Sequence, residues 1–146
     1  MATRVQFYHN AEQPLALACE FAARAYADGR RVALRVADAA AALELDERLW
    51  NFDQLAFVPH VMAGNALATE TPIVIAEAGK AVDWPHTELL FNLADDVPPD
   101  FERFRLLVEI VGQSEAQKLP ARSRWMHYKQ RELPLQAFDA VRREAL

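Results

Sequence analysis

The fold is decided by residues 5–36, which read VQFYHNAEQPLALACEFAARAYADGRRVALRV. The short apolar run Val5–Tyr8 predicts a first strand. Leu15–Asp28 is rich in strong helix formers, and Gly29 stands just past its end, where glycine commonly caps a helix. Arg31–Val36 is mostly apolar and contains β-branched residues, as a buried strand does. The order strand, helix, strand indicates a parallel sheet covered by helices.

A second helix should begin at Asp38, a good N-cap residue, and run to about Trp50. The remaining predicted elements are strands at Phe57–Pro59, Pro72–Ala76 and Glu88–Leu93, a loop at Met62–Thr71, a turn at Asp95–Asp100, helices at Phe101–Val111 and Glu115–Glu132, and a tail that is less ordered or ends in a short helix. We therefore expect a single α/β domain spanning residues 1–146. Its sheet should be largely parallel, five-stranded and flanked by helices, in a Rossmann-like arrangement without a nucleotide site.

Composition narrows the class of protein. A length of 146 residues suits one domain with a substantial core. The net charge of -5 argues against wrapping nucleic acid, because affinity for DNA comes mainly from Lys and Arg that neutralise phosphates. The start of the chain lacks a signal-peptide pattern, and no apolar stretch approaches the roughly 20 residues of a membrane span. Cys19 is the single cysteine, so no internal disulfide can form. These features predict a cytoplasmic protein that does not bind membranes.

The glycines argue against a nucleotide site. The chain has only Gly29, Gly64, Gly79 and Gly112, and their spacing excludes both the G-x-G-x-x-G and the P-loop patterns. The first strand–helix turn also places Glu12 where a phosphate would lie. We expect no nucleotide cofactor. The alternative is a degenerate α/β enzyme or nucleotide-binding domain with an unrecognised site.

Metal and catalytic sites are not indicated either. His9, His60, His86 and His127 are scattered, and none stands at a ligand spacing from another His or Cys. Cys19 lies among Ala, Leu and Phe in a predicted helix, which favours an inert core thiol. The sequence therefore predicts no metal, no cofactor and no catalysis by this chain alone.

The last third of the chain carries a basic stripe. Lys118, Arg122, Trp125 and Lys129 follow one another at i, i+4, i+7 and i+11, so they share one face of a helix. Residues 118–146 hold seven Lys or Arg and three acidic residues, a local excess of positive charge on an acidic protein. This pattern favours a short anionic ligand over a long polyanion. The alternative is a solvated charged helix with Trp125 in the core.

Pro120 interrupts this stripe and leaves two possible starts for the helix. If the helix begins at Ser114, Pro120 removes a backbone hydrogen bond and kinks it. A start near Leu119 would place Pro120 at the first helical position at lower cost, but Lys118 would then leave the stripe.

Two segments carry a resemblance to a known family. They are LDERLWNFDQLAFVPHVMAG at residues 45–64 and KLPARSRWMHYK at residues 118–129. Together with VQFYHN at the start and the GRRVALRV strand, they resemble the chi subunit of bacterial DNA polymerase III holoenzyme. The resemblance implies a non-catalytic accessory protein of the clamp loader, with polymerase catalysis in another subunit. In that family one face binds the acidic C-terminal tail of the single-stranded-DNA-binding protein, SSB, and another binds the psi subunit. Single-stranded DNA is then reached only through SSB.

The resemblance assigns SSB-tail binding to the basic stripe. The candidate residues are Lys118, Arg122, Trp125, Tyr128 and Lys129. An acidic peptide that ends in an aromatic residue and a free carboxylate needs a cationic fork and an apolar slot. Arg122 can grip a carboxylate with two hydrogen bonds, and Trp125 can wall the slot. Tyr128 either flanks the slot or belongs to the core.

A second patch is assigned to psi. Its candidate residues are Trp50, Phe57, Val58, Pro59 and His60. A short segment that ends in proline is typical of a sheet edge, and exposed aromatics there suit a partner. The alternative is that Trp50 closes the second helix over the sheet. A direct DNA binder that uses the Lys118–Arg143 region is a further possible function.

Overall fold

The computed structural model describes residues 2–51, 58–142 and 144–145. Its elements are β1 Arg4–Ala11, α1 Pro14–Ala27, β2 Val32–Val36, α2 Ala39–Asn51, β3 His60–Met62, β4 Ile73–Glu77, β5 Leu89–Asn92, β6 Leu106–Gly112, α3 Glu115–Gln130, β7 Leu135–Asp139 and β8 Glu144–Ala145. The strands form one sheet in the order β3-β4-β2-β5-β6-β1-β7-β8. Every neighbouring pair is parallel except β7 and β8. The predicted α/β class with a largely parallel sheet is confirmed.

Helices cover both faces of this sheet. On one face, buried residues of α1 and α2 pack against alternate strand positions such as Leu34 and Ile110. On the other face, Ala121 and Tyr128 of α3 pack against the intervening positions, such as Phe7. Covering both faces explains why all five residues of Val32–Val36 are buried, as is usual for a central parallel strand.

The sheet has more strands than the five predicted, because two segments were assigned wrongly. Phe101–Val111 was predicted as a helix, but it is a 3-10 turn at Phe101–Arg103 followed by β6. Its apolar residues also fit a helical spacing, so periodicity alone does not decide. In the fold β6 lies between β5 and β1 and is covered on both faces, which suits its β-branched residues.

The second wrong assignment is the tail. Residues after α3 form β7, which pairs in parallel with β1, and β8, which pairs with β7. The third predicted strand is also shifted: Val58 and Pro59 precede β3, and Phe57 lies outside the described residues. Proline has no N–H to donate to a strand ladder, so β3 begins after Pro59.

β1 and β6 are neighbours, yet the chain leaves their carboxyl ends in opposite directions. From β1 it runs through α1 to β2, and from β6 it runs through α3 to β7. Because α1 and α3 lie on opposite faces, a crevice is expected outside the carboxyl ends of these two strands. Asn10, at the end of β1, has a left-handed backbone with φ 66°.

Candidate functional site

A groove with a volume of about 720 Å³ occupies the expected crevice, between α3 and the strands β1, β6 and β7. We call it the α3 groove. Its lining residues are His9, Asn10, Val111, Gly112, Lys118, Ala121, Arg122, Trp125, Met126 and Ala137. None of these lining residues is acidic. The groove therefore combines an apolar surface with positive charge.

Trp125 is the largest side chain that lines the α3 groove. Its ring meets the buried Phe7 ring edge-on, with centroids 5.2 Å apart and an angle of 73° between the planes. The contact fixes the indole, which stays half-buried, and Met126 beside it is 49% exposed. Trp125 is therefore anchored to the core while it still presents surface to the groove, which is intermediate between the two predicted roles.

Among the described residues, the cations of the basic stripe have no acidic partner. Lys118 is half-buried, and Arg122 and Lys129 are exposed. Within residues 2–51 and 58–142, no carboxylate oxygen lies within 4.0 Å of their side-chain nitrogen atoms. Lys118 and Arg122 line the groove, whereas Lys129 lies one turn beyond Trp125 and does not. The stripe can therefore bind an external anion without first breaking an internal ion pair.

α3 begins at the earlier of its two predicted starts. The carbonyl of Ser114 accepts hydrogen bonds from the amides of Gln117 and Lys118, at 3.1 and 3.0 Å. Pro120 lies inside the helix, so the alternative start near Leu119 is wrong. Lys118 is therefore helical and stays on the same face as Arg122.

Tyr128 belongs to the core and does not flank the groove. Its side chain is fully buried, and its hydroxyl donates a hydrogen bond to Glu109 Oε2 at 2.6 Å. Burial, and next the charge of Glu109, raises the pKa of Tyr128, so the phenol stays protonated and remains a donor. A side chain without exposed surface cannot contact a docked peptide, so the flanking role predicted for Tyr128 is wrong.

Glu109 is the centre of a buried polar network that sequence reasoning missed. Besides the bond from Tyr128, its carboxylate accepts bonds from Asn92 Nδ2 at 2.9 and 3.1 Å and from Arg124 Nε at 3.1 Å. Burial raises the pKa of Glu109, and the charge of Arg124 opposes that rise. Arg124 also donates to the Asp95 carbonyl at 2.8 Å. The network joins α3 to the sheet and so holds the groove wall in place; the sequence signal was a single charge inside the apolar run LLVEIVG.

The network continues away from the groove through Arg35. Its guanidinium donates to Asn92 Oδ1 at 3.1 Å and to Asp96 Oδ2 at 2.9 Å. The hydrogen bond from Arg35 lowers the pKa of Asp96. The buried Arg35 is therefore held within the network by Asn92 and Asp96.

The second predicted patch is only partly a surface. Trp50, at the end of α2, is 55% exposed, which contradicts the alternative of a core tryptophan. Its ring meets that of His60 edge-on at 4.9 Å. His60 is buried, with its ring nitrogens 2.8 Å from the Val58 carbonyl and 2.9 Å from Asp46 Oδ1. Val58 is buried as well, and Pro59 is half-buried. His60 therefore supports Trp50, and neither His60 nor the buried Val58 offers contact surface.

Two other exposed apolar side chains lie on α2 itself and on the edge strand β3. Leu43 stands seven residues earlier on α2, on the same helical face, and is 58% exposed. Met62 lies on β3, the edge strand of the sheet, and is 36% exposed. We call Leu43, Trp50 and Met62 the α2 edge.

Metal ligands and the single thiol can be assessed among the described residues. No three His, Cys, Asp or Glu side chains among them cluster as metal ligands. Burial raises the pKa of Cys19 to about 11, so its thiol is a poor nucleophile at neutral pH. In the same part of the chain, no helix has the length and apolar character to cross a membrane.

Residues 2–136 match the family model described as DNA polymerase III chi subunit, HolC. The chain belongs to this chi family. A DNA polymerase III subunit chi of Haemophilus influenzae is 36% identical over 129 residues, covering 86% of this chain and 89% of the relative. The Pseudomonas aeruginosa subunit chi is 33% identical over 138 residues, with 92% and 94% covered. The Escherichia coli subunit chi is 30% identical over 119 residues, with 77% and 76% covered.

In this chi-family chain, the structure brings together most of the residues predicted to bind the SSB tail. Lys118, Arg122 and Trp125 meet in one groove, and Lys129 lies beside it. His9 and Met126 also line that groove and were not predicted. The position of His9 at the carboxyl end of a predicted strand was the available signal.

Proposed function

We propose that this chain is a non-catalytic accessory subunit of the replicase that docks the acidic C-terminal tail of SSB in the α3 groove. The supporting observation is the groove itself, an apolar slot whose charged lining residues, Lys118 and Arg122, are cations. In the part of the chain that the structure describes, no carboxylate oxygen lies within 4.0 Å of their side-chain nitrogen atoms. An acidic peptide that ends in an aromatic residue matches both properties.

Each part of such a peptide has a counterpart. The guanidinium of Arg122 can bind a carboxylate through two parallel hydrogen bonds. The terminal aromatic ring can lie against Trp125 and Met126, where full burial of such a side chain contributes roughly 1.5–3 kcal/mol. Lys129, one turn beyond the groove, can attract the preceding acidic residues, and this exposed charge contributes less.

The α2 edge supports a second proposed role, binding of the psi subunit. Leu43, Trp50 and Met62 are exposed apolar side chains around the edge strand, the kind of surface that partners cover. Five strand spacings separate β3 from β1, or roughly 24 Å at about 4.8 Å each. Two sites so far apart let one chain hold SSB and psi together and so connect SSB-coated DNA to the clamp loader.

The test uses SSB bound to immobilised single-stranded DNA, with and without the acidic tail of SSB. We expect this chain to bind the surface only when the tail is present. Arg122→Ala should weaken that binding, whereas Arg105→Ala should not, because Arg105 is an exposed arginine at the opposite end of β6. Equal binding to tailless SSB, or to naked DNA with a steep dependence on salt, would instead support direct DNA binding.

A further inference from the structure

His9 forms part of the α3 groove but has no role in the function proposed so far. Its imidazole stacks on the ring of Phe7, with centroids 5.5 Å apart and planes 18° from parallel. Its centroid lies 6.3 Å from that of Trp125. No hydrogen bond joins either ring nitrogen to another residue in the part of the chain that the structure describes. The ring is therefore held in place by Phe7 while its nitrogens remain available to a ligand.

The surroundings of His9 disfavour protonation of its ring. Burial, and next the charge of Arg124, lowers the pKa of His9, whereas Asp139 raises it. Asp139 already accepts hydrogen bonds from the amides of Val141 and Arg142, both at 2.9 Å, so its charge is partly engaged elsewhere. Lys118 and Arg122 of α3 line the same groove as His9, and the charges of Arg124 on α3 and Asp139 on β7 act on its ring. Glu109 on β6 lies opposite Phe7, two residues before His9.

The charges of these groups around His9 sum to a positive value. Glu109 is occupied by Arg124 and Tyr128, and none of the carboxylates that the structure describes pairs with Lys118 or Arg122. A carboxylate bound among them would cancel part of the repulsion that an imidazolium experiences here. It would also accept a hydrogen bond from the protonated ring. Docking of an anion and protonation of His9 should therefore favour each other.

We propose that His9 is a recognition residue of the α3 groove that binds the terminal carboxylate of the docked acidic peptide and couples docking to the uptake of a proton. The inference rests on the proposed tail-binding function and adds a regulation of that same site. Because the proton binds more tightly in the complex, peptide affinity is highest at low pH. The affinity falls as the pH rises through the pKa of His9 in the complex.

The experiment measures the affinity of the full chain for a fluorescent Asp-rich peptide that ends in phenylalanine, between pH 5.5 and pH 8. The peptide carboxylates stay ionised throughout this range, since Asp has a pKa of about 3.9. We expect binding to be about 3- to 10-fold tighter at the lower pH, because docking raises the pKa of His9. A peptide with an amidated C-terminus should show a much smaller pH effect.

Two variants identify the titrating group. His9→Phe should abolish most of the pH dependence, and His127→Gln should retain it, because His127 packs beside Phe101 at 6.3 Å and does not line the groove. Should His9→Phe not fold, the pKa of His9 can be followed by NMR in the unaltered protein, with and without peptide. A pKa that rises on binding supports the proposal.

The outcomes separate this inference from the function on which it rests. Tight peptide binding with the same pH dependence in His9→Phe, or an unchanged His9 pKa, would overturn the role of His9 and leave tail docking intact. No peptide binding at any pH would overturn both. Equal pH dependence for the free and amidated peptides would show that His9 does not read the carboxylate, and would overturn the proposal as stated.

Discussion

At the scale of single residues, Arg122 is the side chain that best combines charge, exposure and position in the α3 groove. We predict that Arg122→Ala weakens binding of an acidic tail peptide by about 1.5–3 kcal/mol, as expected for loss of a charge-assisted contact. A fluorescence titration measures this change, with Arg105→Ala as the matched control. Unchanged affinity in a variant that circular dichroism shows to be folded would exclude Arg122 from the site.

Tyr128 tests the assignment of a neighbouring residue to the core. Tyr128→Phe removes one donor from the buried carboxylate of Glu109. We predict that it lowers the free energy of unfolding by about 1–3 kcal/mol, measured in urea, because the buried carboxylate loses one of its charge-assisted hydrogen bonds. Peptide affinity should change little. The opposite result, a loss of peptide affinity without a loss of stability, would indicate that Tyr128 contacts the peptide.

These residues also show how far sequence reasoning extends. The spacing of Lys118, Arg122 and Trp125 was enough to place them on one face, because a helix fixes that geometry locally. The burial of Tyr128, three residues beyond Trp125, depends on Glu109 from β6. The place of His9 likewise depends on the pairing of β1 with β6. Neither contact is local in sequence, so neither could be predicted from spacing.

At the scale of elements, Pro120 is a weak point of α3. Its ring nitrogen cannot donate to the Ala116 carbonyl one turn earlier, and the ring crowds that carbonyl. We predict that Pro120→Ala raises the free energy of unfolding by about 1–3 kcal/mol in urea denaturation. A less stable variant would mean that packing of the half-buried proline ring contributes more than the hydrogen bond that alanine restores.

Elements were predictable from the sequence where local chemistry decides them, and unpredictable elsewhere. α1 and β2 follow from helix formers, a glycine stop and an apolar run, and the structure confirms both. β6 was mistaken for a helix because its apolar residues fit both periods. β7 was missed because its strand conformation comes from pairing with β1, more than a hundred residues earlier.

At the scale of the whole molecule, the α3 groove and the α2 edge lie apart on one sheet and should act independently. We predict that Trp50→Ala impairs association with a psi-like partner and leaves tail binding unchanged, because Trp50 is exposed and far from the groove. Isothermal titration with each partner separates the two effects. Loss of both interactions with a lowered melting temperature would show that Trp50 instead holds the fold together.

The dependence of binding on salt distinguishes a specific slot for an acidic tail in the α3 groove from a merely charged surface. The measurement compares the intact peptide with one lacking its terminal aromatic residue, at about 0.01 M and about 1 M salt, where charges are screened over about 30 and about 3 Å. We predict that the intact peptide loses only part of its affinity in high salt, because burial of its aromatic ring against Trp125 does not depend on charge. The truncated peptide should lose most of its affinity at both concentrations. Equal binding of the two peptides at low salt, with loss of both at high salt, would contradict a specific slot. It would mean that α3 is a solvated basic helix.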